Sequence, residues 1–173
     1  MLFYTASLID VAPKTPSCET QFKQYGKKNR FKGKIRTIRC HQDNGLVKQL
    51  MSRPSDGEIL VIDGGGSYYS ALMGDMIATA GMNNGWAGAI IYGAIRDSQL
   101  INTLDFGVKA LGTNPRKSTK EGTGQVDIPI HFGGVTFIPG HYLYSDEDGI
   151  LVAASPIEPV SYTHLRAHET RHD

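Results

Sequence analysis

Residues 58–97 read EILVIDGGGSYYSALMGDMIATAGMNNGWAGAIIYGAIRD, and this stretch decides the fold. It opens on a compact apolar run, 58–62, of strand length. A glycine triplet, Gly64-Gly65-Gly66, breaks the run. The segment 68–83 then carries a helical pattern, with Leu72, Ile77 and Ala80 on the face to be buried, and Asn84-Gly85 closes it as a left-handed cap does. A second buried-looking strand, 87–92, follows and leads through Gly93 to Arg96-Asp97. Strand, helix, strand in succession argues an α/β core with parallel pairing.

The same alternation extends outward. Upstream, residues 3–11 form a short helix that stops before Pro13, and 14–34 make a polar, basic connector broken by Gly26 and Gly33. Residues 33–40 alternate like a strand, and Asn44 stands where it can cap a helix over 45–51. Downstream, 108–111 is a third core strand and 114–124 (NPRKSTKEGTG) a polar, mobile loop. Short strands then alternate with turns at Gly133-Gly134, Pro139-Gly140 and Asp148-Gly149. The expectation is one α/β domain with parallel core strands and a β-rich C-terminal part.

With 173 residues, the chain is long enough to bury a core without staples. Its formal net charge is +1 and neither half of the chain is strongly basic or acidic, so nucleic acid is not an implied partner. Cys18 and Cys40 are too few for a disulfide framework and lack metal spacing, so a reducing, cytoplasmic setting is expected. The N-terminus shows no basic leader and no run long enough to span a membrane. The domain is expected to occupy 1–159. Residues 160–173 (VSYTHLRAHETRHD) break from the preceding pattern and read as a non-native tail, translated cloning or adapter sequence. Its His164, His168 and His172 share one helical face, which invites a zinc reading that an accidental tail explains away.

Several residues are of types that carry chemistry. Asp63 and the glycine triplet are expected at a strand-to-helix junction, either as an anion cradle or as a tight turn that lets backbones approach. The triplet fits neither a dinucleotide fingerprint nor a phosphate loop, and on its own is a thin basis for a methyltransferase. Gly74-Asp75-Met76-Ile77 interrupts the helical pattern. Either Asp75 caps a helix from Met76, or the helix start aims its N–H groups at an anionic ligand, and both can hold. Arg96-Asp97 follows a core strand at its carboxyl end, where ligand sites of α/β sheets gather. Lys109 is expected to snorkel to the surface, His131 and His141 to be plain polar residues, and Trp86 to pack.

The stretch from VIDGGG to AIRD at 61–97, LDFGVKALGTNPRKS at 104–118 and HFGGVTFIPGHYLYSDEDGILVA at 131–153 closely resemble the family that groups regulator of ribonuclease activity A with the 4-hydroxy-4-methyl-2-oxoglutarate aldolases. The likeness covers about 5–154. The aldolase branch is marked by an Asp, twenty intervening residues and Arg-Asp, a spacing that Asp75 and Arg96-Asp97 meet. The resemblance implies a domain of the swivelling β/β/α type and a homotrimer with active sites between subunits. It implies that Asp97 ligates Mg²⁺ or Mn²⁺, that Arg96 binds substrate, and that Gly74, Asp75, Met76 and Ile77 hold the substrate carboxylate through backbone N–H groups. The implied reaction is cleavage of a 4-hydroxy-2-oxo acid to pyruvate, Asp75 and Arg96 being catalytic, with oxaloacetate decarboxylation as a side activity. The alternative is a non-catalytic regulator that inhibits an RNA-degradation endonuclease, a branch that lacks the acids matching Asp75 and Asp97.

Overall fold

A nine-stranded mixed sheet forms the frame, in a computed structural model that describes residues 2–158. The expected tail at 160–173, with its three histidines, lies outside the described residues. In chain order the elements are α1 (Thr5–Val11), β1 (Lys23–Tyr25), β2 (Phe31–Arg39), α2 (Gly45–Met51), β3 (Ile59–Asp63), β4 (Ala71–Met73), α3 (Asp75–Asn83), β5 (Gly88–Ile95), α4 (Ser98–Ile101) and β6 (Gly107–Thr113). The short strands β7 (Gln125–Val126), β8 (Ile130–Phe132), β9 (Val135–Phe137), β10 (Tyr142–Asp146) and β11 (Gly149–Ala153) complete it.

The main path runs β1-β6-β5-β3-β2-β10-β11, with β4 added on β5, β7 on β2, and β8–β9 a separate hairpin. Pairing is parallel among β2, β3, β5 and β6, as the alternation of strands and helices implied. Strand β3 is central and covered on both faces, which is why its run is apolar without interruption. Leu60 and Ile62 enter one core, with Val47, Leu50, Met51 and Ala78 of α2 and α3. Ile59 and Val61 enter the other, closed by Ile130, Phe132, Val135 and Phe137 of the hairpin and by Leu143 and Ile150. Helices α2 and α3 approach closely: a Cβ on Gly81 would lie 2.4 Å from the Met51 Sδ.

Four expectations need correction. The segment 68–83 is not one helix, because Ala71–Met73 is a strand paired parallel to β5 and the helix begins only at Asp75. The glycine triplet therefore links two strands rather than a strand and a helix. Its N–H groups are consumed inside the turn: Gly64 and Gly66 donate to the Tyr92 carbonyl, and Gly65 to the Asp63 carboxylate at 2.9 Å. No anion cradle is left there, and Gly65 and Gly66, at φ of 68° and 73°, adopt the left-handed backbone that glycine tolerates. The connector 14–34 contains β1 and the start of β2.

Lys109 does not snorkel. It is 5% exposed, and its ammonium donates to the carbonyls of Asp146 and Gly149 on the β10–β11 side of the sheet. Burial lowers its pKa, opposed chiefly by the charge of Asp146. Other readings hold: Trp86 is buried and donates to the Arg53 carbonyl, and His131 pairs with Thr136. Both cysteines are free, and burial pushes the Cys40 thiol up to about 12. No helix of the described residues is long and apolar enough to cross a membrane.

Candidate functional site

Strand β4 decides the geometry of the site. It lies parallel to the last turn of β5, with Met73 opposite Ile95, and the Arg96 N–H donates to the Met73 carbonyl at 3.0 Å. Two chain segments that are twenty residues apart thus leave the same sheet edge side by side. One turns at Gly74 into α3, the other at Arg96-Asp97 into α4. The Asp97 carboxylate accepts the N–H of Asp75 at 3.2 Å, and the Arg96 Nε lies 3.8 Å from the same carboxylate oxygen.

Asp75, Arg96 and Asp97 line one cavity of about 180 Å³, together with Gly74, Met76 and Ile77. All six residues expected at the site meet there. Asp75 does so differently from the capping expectation: Gly74 holds the cap position, and the side chain that bonds a first-turn amide is that of Asp97, which accepts the Asp75 N–H. By helix geometry the first-turn N–H groups of Met76 and Ile77 have no intrahelical partner, which suits an anion.

Asp97 has a left-handed backbone, φ 57° and ψ 38°, a conformation that Asp and Asn adopt more readily than most residues. The bend turns its carboxylate toward α3. There the Asp75 N–H holds the Asp97 pKa below the ordinary carboxylate range; burial opposes this, while the Asp75 side chain and the Arg96 guanidinium assist. The Asp97 side chain is 30% exposed and that of Arg96 33%, so both are reachable from solvent. Arg96 is loosely held otherwise, with a 3.5 Å contact to the Pro115 carbonyl.

Gly74 is there because nothing larger fits. A Cβ at this position would stand 2.7 Å from the Asp97 Oδ2 and 3.4 Å from the Arg96 Nε. Its backbone, at φ −122°, suits any residue, so Gly74→Ala should fold and shift the carboxylate and guanidinium out of register. The expected result is a nearly unchanged thermal midpoint, with a loss of about 10²-fold in any turnover that the cavity supports. A Gly74→Ala structure with the Asp97 carboxylate and the Arg96 guanidinium unmoved would count against the tight packing at Gly74.

The opposite wall was not foreseen. Asn44, Lys48, Lys117, Ser118 and Lys120 also line the cavity, the last three from the segment expected to be a mobile surface loop. That loop is tied down by Asp43. Its carboxylate accepts the Thr119 hydroxyl at 2.7 Å and the N–H groups of Glu121, Gly122 and Gly45 at 2.7, 3.0 and 3.0 Å. Ser118 bonds Ser70 and the Ala71 carbonyl. The only sequence signal for this wall was a cluster of lysines, which usually marks a solvated surface.

The donor set limits which metal the site suits. Among the described residues no group of three His, Cys, Asp or Glu side chains is placed to hold a metal ion. Two neighbouring carboxylates, Asp75 and Asp97, fit a hard divalent cation that completes its shell with water and ligand oxygens, as Mg²⁺ does.

Comparison with known proteins gives the family and the fold. A family model described as RraA-like, Aldolase/RraA, matches residues 5–152. A Geobacillus kaustophilus structure, named S-adenosylmethionine: 2-dimethylmenaquinone methyltransferase, is similar at 43% identity and TM-score 0.87, over 90% of this chain and 97% of that one. The RNA-processing inhibitor RraA from Thermus thermophilis is 38% identical with TM-score 0.89, over 93% and 98%. Streptomyces coelicolor RraAS2, 23% identical with TM-score 0.70 over 98% and 87%, shares the fold. With the family model spanning nearly all of the described residues, this chain belongs to the RraA-like family, which embraces both aldolases and RraA inhibitors.

Proposed function

We propose that the chain is a divalent-metal-dependent aldolase that releases pyruvate from 4-hydroxy-2-oxo acids of the 4-hydroxy-4-methyl-2-oxoglutarate type, and that it decarboxylates oxaloacetate as a side activity. The observation that carries this reading is the convergence of Asp75, Arg96 and Asp97 on one cavity beside the start of α3. Asp97, with Asp75 beside it, would hold Mg²⁺ or Mn²⁺, which when bound supplies Lewis acidity at the substrate C2 carbonyl.

The protein's own groups would do the rest. The N–H groups of Met76 and Ile77 at the start of α3 receive the C1 carboxylate, that of Asp75 being already given to Asp97. Arg96 places a positive charge where the C2 oxygen becomes an oxyanion as the C3–C4 bond breaks. Asp75, through a water, takes the C4 hydroxyl proton and returns one to C3 of the enolate. Oxaloacetate yields the same enolate by losing CO₂, so these groups serve both reactions.

A homotrimer with sites between subunits, working in the cytoplasm, belongs to the same reading. In its support, Met76 is 82% exposed although it lines the cavity, and Tyr68 and Tyr69 are exposed just ahead of β4. A second reading, a regulator that inhibits an RNA-degradation endonuclease, draws on the inhibitor function in the name of the Thermus protein. A binding surface has no need of two acids and an arginine turned into a cavity, which favours the enzyme.

The deciding experiment is cheap. Purified protein with Mg²⁺ and 4-hydroxy-4-methyl-2-oxoglutarate should release pyruvate, and EDTA should abolish the release. A metal-replete protein that is silent on both this substrate and oxaloacetate would sink the aldolase reading.

A further inference from the structure

Beyond Thr113 the chain crosses the carboxyl end of β5, passing from the β6 side to lie beside β4. The Asn114 N–H donates to the Ile95 carbonyl at 3.0 Å, and two residues later the Arg116 carbonyl accepts the Ala71 N–H at 2.8 Å. The crossing therefore runs directly over Arg96, the residue after Ile95. Its backbone is what faces the guanidinium, since the Arg116 side chain lies elsewhere, over the Tyr69 ring at 4.6 Å. The Pro115 carbonyl accepts the Arg96 Nη1 at 3.5 Å.

That carbonyl belongs to the same peptide unit as the Arg116 N–H, and this N–H donates to the Asn114 Oδ1 at 2.9 Å. A trans peptide is a rigid plate whose N–H and C=O point in opposite directions. The Asn114 side chain that grips one edge of the plate thus aims the other edge at Arg96. Its own Nδ2 is fixed in turn, donating to the Tyr68 carbonyl at 2.7 Å. Asn114 is not on the cavity wall, so it acts there only through this plate. Arg96 is responsive to such a device. Its guanidinium is held by two long contacts, to the Pro115 carbonyl and to the Asp97 carboxylate at 3.8 Å, and a half-exposed side chain so held follows its partners.

Resting on the aldolase reading, we propose that Asn114 is a positioning residue for Arg96: through the 115–116 peptide it sets where the guanidinium stands at the C2 oxygen. The segment 114–122 is then anchored at two ends with different duties. The Asp43 end carries Lys117 and Lys120 and bears on binding of the anionic substrate. The Asn114 end bears on a charge that is needed as the oxyanion develops. Its loosening is felt in kcat more than in KM.

Asn114→Ala should lower kcat for pyruvate release from 4-hydroxy-4-methyl-2-oxoglutarate by about tenfold and leave KM within about twofold. In an Arg96→Met background the same substitution should cost less than about twofold, because no guanidinium is left to place. A merely structural role for Asn114 would cost as much in both backgrounds. An equal loss in the two, or an unchanged kcat in the otherwise wild-type protein, overturns the proposal. Should Asn114→Ala fail to fold, Asn114→Ser is carried through the same two backgrounds and judged by the same outcomes. The crystal structure of the folded variant gives a readout independent of turnover: the Pro115 carbonyl and the Arg96 guanidinium should part by about 1 Å or more, and an unmoved pair overturns the proposal. Failure of the aldolase reading is distinguishable, because wild-type protein would then release no pyruvate from this substrate or from oxaloacetate, whatever that structure shows.

Discussion

Asp97→Asn is expected to fold as the wild type does and to lose about 10³-fold in metal-dependent kcat/KM on 4-hydroxy-4-methyl-2-oxoglutarate. Asn is the sharper test than Ala, because residue 97 has a left-handed backbone that Asn tolerates and Ala resists by about 1 kcal/mol. The substitution keeps the shape and an acceptor for the Asp75 N–H while it removes the negative charge. A hard cation is bound mainly by charged oxygens, so loss of that charge should weaken Mg²⁺ binding as well as turnover. Titration with Mg²⁺ separates the two: a partial recovery at high metal marks a binding defect, and a residual deficit marks misplacement of the reacting groups. The thermal midpoint should move little, since Asp97 is partly exposed and its ion pair with Arg96 is 3.8 Å long. Retention of more than about a tenth of wild-type kcat/KM at saturating Mg²⁺ would remove Asp97 from the mechanism.

What could be read from the residues, and what could not, follows from where the information lies. The β3 run is apolar on both faces because both cores need it, and an uninterrupted run is recognisable without a structure. Helix α2 was placed at 45–51 by Asn44 before it, and its observed span is Gly45–Met51. The cap, however, is given to Asp43 rather than Asn44, a choice between adjacent side chains that local propensity does not make. Strand β4 was missed because three apolar residues carry no period of their own; Ala71–Met73 is a strand only because β5 stands beside it. The error was consequential, since this pairing is what sets Gly74-Asp75 against Arg96-Asp97.

The site residues were legible as a spacing and the lysine wall was not. Asp75, Arg96 and Asp97 stand out as charges that break apolar patterns, which the eye finds. Lys117 and Lys120 sit in a stretch of polar residues where nothing contrasts with them. Their position in the cavity depends on hydrogen bonds to Asp43, more than seventy residues earlier in the chain. Lys109 shows the converse: its partners are backbone carbonyls of Asp146 and Gly149, which carry no signature in side-chain type.

Asp43 should consequently be the polar residue whose loss does most damage to stability and to the site together. Its carboxylate satisfies three backbone N–H groups and one hydroxyl, joining the start of α2 to the loop that bears Lys117 and Lys120. Asp43→Ala leaves these four donors without an acceptor and opens a small void. The expected cost is about 3 kcal/mol, which for a domain of this size lowers the thermal midpoint by roughly 6–12 °C. The free loop should also raise KM for the anionic substrate more than it lowers kcat, because Lys117 and Lys120 line the cavity and have no part in the proton transfers proposed for Asp75. The pH dependence gives an independent check with a defined sign. Burial by itself would raise the Asp43 pKa, but the bonds from Thr119, Gly45, Glu121 and Gly122 outweigh it and hold the group below its ordinary value. A carboxylate whose folded pKa is depressed contributes stability that is fully present above its unfolded pKa of about 4 and is lost as pH falls through the folded value. Wild-type stability should therefore decline on acidification below about pH 4, and Asp43→Asn, which cannot titrate, should show a shallower decline across the same window. Parallel acid curves for the two proteins, measured by urea unfolding, would show that the tether does not depend on the charge of Asp43.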